Sequence, residues 1–190
     1  MIVLLLAVLL ATPRPPRSAP VPRTEQPVEQ MQLTDQELRE RVDTYLGVID
    51  RPIPAARWKA LGPRAAPVLE SVIASETELP TRRAMAIDAL VLVAPDRAAT
   101  LVGPLARDER QPVVVRVASM HGASRILSSR QALSELRPVL QSAKSTGLRA
   151  EAADVLATKR GGCAEVRTQV ARERAEHREA FQRALRRCGE

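Results

Sequence analysis

Arg83, Arg116 and Arg149 stand 33 and 33 residues apart, and each heads the same short pattern. Three positions after each arginine comes a small residue: Ala86, Ser119 and Ala152. Four positions further on stand Leu90, Ala123 and Leu156. Spacings of three and four put such residues on one face of a helix. Small side chains there let neighbouring helices approach closely, and the larger ones fill the space between layers. A period in the thirties with two helices per unit is the mark of a helical solenoid, because one unit cannot bury its own apolar face and must be covered by the next.

Glycine and proline punctuation agrees with that period. One helix closes at Arg57-Trp58-Lys59-Ala60-Leu61-Gly62-Pro63, and 64–74 makes the next. A helix over 82–93 is stopped by Ala94-Pro95-Asp96 and followed by 97–107. Residues 113–127 and 131–143 form a third pair, and 148–159 begins a fourth that Gly161-Gly162 breaks. Upstream, Thr34-Asp35-Gln36-Glu37 has the form of a capping box. Leu38, Val42, Tyr45, Leu46 and Ile49 then recur at helical spacing until Pro52 and Pro54. Pro67, Pro104 and Pro138 fall in successive second helices, which predicts a shared bend. Composition points the same way. Ala, Leu and Val supply most of the apolar residues, while Tyr45, Trp58 and Phe181 are the only aromatics. Ala and Leu favour helix, whereas aromatics suit a pleated sheet. The expected fold class is all-α, a right-handed α–α superhelix.

The pieces Arg57-x-x-Ala60-Leu61-Gly62, Arg83-x-x-Ala86-x-x-Ala89-Leu90 and Arg149-x-x-Ala152-x-x-Val155-Leu156 resemble the HEAT-repeat family, including its short bacterial variety related to phycobilin-lyase repeats. The resemblance covers roughly residues 54–175. The 116–142 unit departs from it, with Gly122-Ala123 where Ala-Leu is usual. It implies a HEAT-like solenoid and a scaffold-like, protein-binding role, not an activity.

Ahead of the helices the chain changes character. Residues 2–11 (IVLLLAVLLA) are uninterrupted apolar residues. As a helix they span ~15 Å, half of a ~30 Å hydrocarbon core. That length matches the apolar region of a secretory signal peptide, although no Lys or Arg precedes it. Residues 1–20 are therefore expected to be a signal peptide or, alternatively, an N-terminal membrane anchor. Residues 13–33 read as a Pro-rich linker, with six prolines between Pro13 and Pro27. The helical-repeat domain is expected over 34–190, in a protein that is exported to the periplasm or secreted.

Cys163 and Cys188 are the two cysteines. In an exported protein they read first as one disulfide. A single straight helix over 163–188 would hold them ~37 Å apart, beyond bridging reach. The repeat register, however, predicts a turn near 174–178 that would bring them together. Two free thiols, or a bridge to another chain, are the alternatives.

Candidate chemistry is sparse. Asp88, His121 and Asp154 share one repeat position. Helices ~8–10 Å apart hold such side chains too far apart to meet one metal at ~2.0–2.2 Å, so a surface ladder with a His–Asp contact is expected. His177, among Glu176, Arg178 and Glu179, reads as solvated. Arg83, Arg116 and Arg149 form either an anion- or partner-binding ladder or a set of pairs with Asp and Glu inside the repeats. The net charge of +7 comes from a basic set in which only Lys59, Lys144 and Lys159 are not arginine. GC-rich coding explains that bias as well as a polyanion ligand does. Three scattered aromatics offer no stacking platform for single-stranded nucleic acid, so nucleic acid is disfavoured and Trp58 reads as a core residue. No phosphate-cradling glycine loop, nucleophile elbow or zinc spacing occurs. The expectation is a non-enzymatic protein-binding or scaffolding module of the cell envelope or secreted space, with no cofactor or metal. The alternative is a basic binder of anionic polymer, and peripheral membrane association through the N-terminus is a further expectation.

Overall fold

A computed structural model describes residues 33–48 and 51–189, and among these there are ten α-helices and no strand. The helices are α1 Asp35–Leu46, α2 Ala55–Leu61, α3 Ala66–Ala74, α4 Pro80–Val93, α5 Pro95–Arg107, α6 Val113–Ile126, α7 Ser129–Ser142, α8 Thr146–Ala157, α9 Gly162–Arg172 and α10 Gln182–Arg187. Short 3₁₀ segments, Pro63–Ala65 and Ala175–Phe181, lead into α3 and α10. The leader expected over 1–20, the linker up to residue 32 and Ile49 lie outside the described residues.

Local chemistry explains where helices start and stop. Thr34 accepts from the Glu37 amide while the Glu37 carboxylate takes the Thr34 N–H at 2.8 Å, the reciprocal cap expected from sequence. Ser128 and Gln131 make a second such box ahead of α7, so that helix begins earlier than expected. α4 and α5 also begin earlier, at Pro80 and Pro95. A first-turn proline lacks only an N–H that has no intrahelical acceptor there, and its φ already suits the helix. α1 stops at Leu46 with Gly47 as its cap, short of the expected Pro52. Of the three second-helix prolines, Pro104 and Pro138 sit inside α5 and α7. Pro67 is instead in the first turn of α3, where it breaks no helical hydrogen bond, so the expected shared bend does not extend to it.

Helices pack against their neighbours in two rows. In the first, α2 meets α4, and then α4, α6, α8 and α10 each meet the next. In the second, α5 packs on α7 and α7 on α9. α3 joins that row through the Glu70–Arg97 ion pair. Successive layers are tied across the rows by α3 on α4, α5 on α6 and α7 on α8. The 33-residue register marks the buried positions. Ala86, Ser119 and Ala152 are each 0 % exposed, and Leu90, Ala123 and Leu156 are no more than 1 %. Full burial of one such leucine stabilises by ~1.5–3 kcal/mol. The irregular α6 unit also closes tightly. A Cβ on Gly122 would lie 3.1 Å from Cγ atoms of both Val102 and Val91, so two valines close on the backbone where Ala is usual.

A disulfide joins Cys163 to Cys188, with Cα atoms 5.6 Å apart. α9 ends where Glu173 and Arg174 turn extended, with ψ 145° and 146°, at the near edge of the turn expected from the register. The chain then doubles back and buries Phe181 (0 % exposed) and Ala184 (1 %), with α10 packed against α8.

Candidate interaction surface

The three register arginines occupy matching places and point inward. Arg83 Nε donates to the Ile73 carbonyl at 2.9 Å, and Arg116 Nε to the Ala106 carbonyl at 2.9 Å. Arg149 Nη1 donates to the Ala143 carbonyl at 2.7 Å. Each carbonyl lies at the end of the preceding second-row helix, where no later amide turns back to donate to it. Arg83 and Arg116 are only 5 % exposed. Pairing with an acid occurs at Arg149 alone, whose guanidinium spans both Glu173 oxygens at 2.6 and 2.7 Å. Hydrogen bonds from Arg149 hold the Glu173 carboxyl below its ordinary value, against the opposing effect of burial and with help from Gln169. His177 is not solvated as expected. Its side chain is 26 % exposed, and Nδ1 lies 3.8 Å from Glu173 Oε2.

Ion pairs link successive helices of the first row. Asp88 pairs with Arg125 at 2.5 Å, and Asp154 with Arg187 at 2.7 Å. His121 contacts Glu151 of α8 at 2.9 Å rather than an aspartate, because α10 claims Asp154 with Arg183 and Arg187. No cluster of three or more metal-ligating side chains occurs among the described residues.

In the second row, two grooves with apolar floors flank the first helix, α3. The first, ≈ 330 Å³ between α1 and α3, is floored by Val68 and Val72. The next, ≈ 290 Å³ between α3 and α5, is floored by Leu101 and Leu105. Val68 matches Leu101, and Val72 matches Leu105, at a spacing of 33 residues, and all four are half-buried. The arginine pattern drew sequence reasoning to the first helices, yet this second 33-residue match was there to be read. At the next place along, Glu135 lies over Gly103 and pairs with Arg107, closing the surface between α5 and α7. Beyond it, between α7 and the α8–α9 turn, a third groove of ≈ 520 Å³ is lined by Ser129, Arg130, Leu133, Ser134, Arg137 and Arg160.

What these features define is an all-helical protein whose helices pack on their neighbours in two rows and whose C-terminal segment is held by a disulfide. No protein-family model matches the chain, and neither does any curated protein or solved structure. No helix among the described residues is long and apolar enough to cross a membrane. A disulfide belongs to an oxidising compartment, which fits a location outside the cytosol.

Proposed function

We propose that this chain is a non-enzymatic scaffold, a short right-handed superhelix of HEAT-like repeats that binds a protein partner along its second row of helices. The observation that carries the reading is the pair of successive grooves floored by Val68 and Val72, then by Leu101 and Leu105. Apolar positions left half-open at one repeat spacing suit a partner laid along the row, since each groove takes a side chain while charged rims fix its register. Ion pairs link successive helices in both rows, as Arg125–Asp88 does in the first and Arg97–Glu70 in the second, so the reading rests on the grooves and not on the pairing. The Cys163–Cys188 bridge and the apolar run at residues 2–11 together support export to the periplasm or secreted space. The polyanion alternative draws less support, since Arg83 and Arg116 are spent on buried carbonyls.

A photo-crosslinking residue placed at Val72 or Leu105 in cells of the source organism tests the reading. It should trap one recurring protein, whereas the same probe at Asp88 on the first row should not. Equal trapping from both rows, or none from the second, would overturn it.

A further inference from the structure

The groove between α7 and the α8–α9 turn differs in charge from the two grooves beside α3. Those two are mixed in charge: Glu40 and Asp43 line the α1–α3 groove beside Arg39 and Arg82, and Glu70 and Glu76 line the α3–α5 groove beside Arg83. This groove presents three arginines, two hydroxyls and Leu133, with no acid in its lining. Arg137 is occupied, pairing with Glu165 at 2.7 Å on the rim. Arg130 and Arg160 are exposed, and their side chains have no ion-pair partner among the described residues. Their backbones are nevertheless fixed. Arg130 sits in the first turn of α7, and the Arg160 amide donates to Ser129 Oγ at 3.2 Å, so the α8–α9 turn is tied to the start of α7. Two guanidinium groups are thus carried on anchored backbone beside Leu133.

We infer that this groove receives an acidic segment of the protein partner, with an apolar side chain on Leu133 and carboxylates bound by Arg130 and Arg160. The inference rests on the scaffold reading above and names the chemistry of the partner's end. Guanidinium groups bind carboxylates through paired, charge-assisted hydrogen bonds. A carboxylate brought here meets no neighbouring acid in the lining. A purely apolar segment would leave both cations unanswered, and a basic one would be repelled. Glu135, lying across Gly103, separates this basic end of the row from the two apolar grooves. The row therefore reads as apolar at its start and cationic towards its end.

The test is selection of fifteen-residue peptides from a random displayed library against the full, oxidised chain, with binding of the winners then measured in solution. Selected peptides should be rich in Asp and Glu around one apolar residue. The double variant Arg130→Glu/Arg160→Glu should weaken them about tenfold or more, while Val72→Glu should matter less. Winners that lose affinity in Val72→Glu but ignore the arginine reversal would overturn the acidic-segment assignment and leave the scaffold reading standing. Failure to select any peptide would count against both. Competition by inorganic phosphate at equal concentration, or tighter arginine-dependent binding to anionic lipid vesicles than to the peptides, would overturn the assignment in favour of a phosphate group or a membrane surface. Unchanged melting of the double variant shows that its fold is intact.

Discussion

Gly162 shows how little room a single position can have. Its backbone passes so close to the end of α8 that a Cβ would overlap the carbonyl oxygen of Leu156. Backbone cannot yield as a side-chain tip does. Gly162→Ala is therefore expected to destabilise by more than ~2 kcal/mol, as overpacked sites do. Gly147, in the first turn of α8, would meet only Ser145 Oγ at 3.6 Å, an ordinary contact. Gly147→Ala should leave stability unchanged or raise it by ~0.5 kcal/mol through lost chain entropy. Urea unfolding of the two variants checks both signs. Arg116→Met belongs to the same scale. It would leave the buried Ala106 carbonyl without its donor and should lower stability by ~1–3 kcal/mol. Glu173 adds a pH dependence. Its folded pKa lies below the ordinary value near 4.5, chiefly because of Arg149. Its stabilisation is thus present above that value and lost as pH falls through the folded pKa. Denaturation midpoints followed downward from pH 5 should fall less steeply in Glu173→Gln than in the unaltered chain, from a lower starting stability.

Among the elements, the segment from α9 to α10 depends most on one bond. α10 is a single short helix, Gln182–Arg187, held by Phe181 and Ala184 below and by Arg183 and Arg187 on α8 acids above. A helix of that length has no stability of its own. Closing 25 residues of sequence separation stabilises by ~3–4 kcal/mol on the chain-entropy model. Cys163→Ser/Cys188→Ser should lose about that much. Its amide hydrogen exchange should accelerate over residues 175–189 before it does in α4 or α6, because local opening starts where fewest contacts resist it. The sequence exposed much at this scale. Gly161-Gly162 marked the start of α9, the repeat register anticipated the reversal after it, and Thr34 with Glu37 marked the start of α1. First-turn prolines misled the boundaries of α4 and α5, since proline punctuates a chain both by ending helices and by opening them.

Across the whole molecule, the 33-residue register was legible in the buried positions it marks, since Ala86, Ser119 and Ala152 are all buried. The surface was harder to read. Arg83 and Arg116 had the spacing of a binding ladder, but spacing alone does not distinguish an outward guanidinium from one folded back onto a helix end. His121 likewise met Glu151 rather than Asp154, because the competing arginines come from α10, far along the chain. The third groove arises where the α8–α9 turn meets the start of α7, a junction no local pattern encodes. The layered arrangement itself is open to direct measurement through Pro67, Ser134 and Thr168, exposed on α3, α7 and α9. Spin labels attached through cysteines at these positions, with the native disulfide kept intact, report pairwise distances by electron–electron resonance. Helices stacked ~10 Å apart predict roughly 20 Å for the 67–134 pair and roughly 30 Å for the 67–168 pair. A 67–168 distance no longer than the 67–134 distance would contradict the stack.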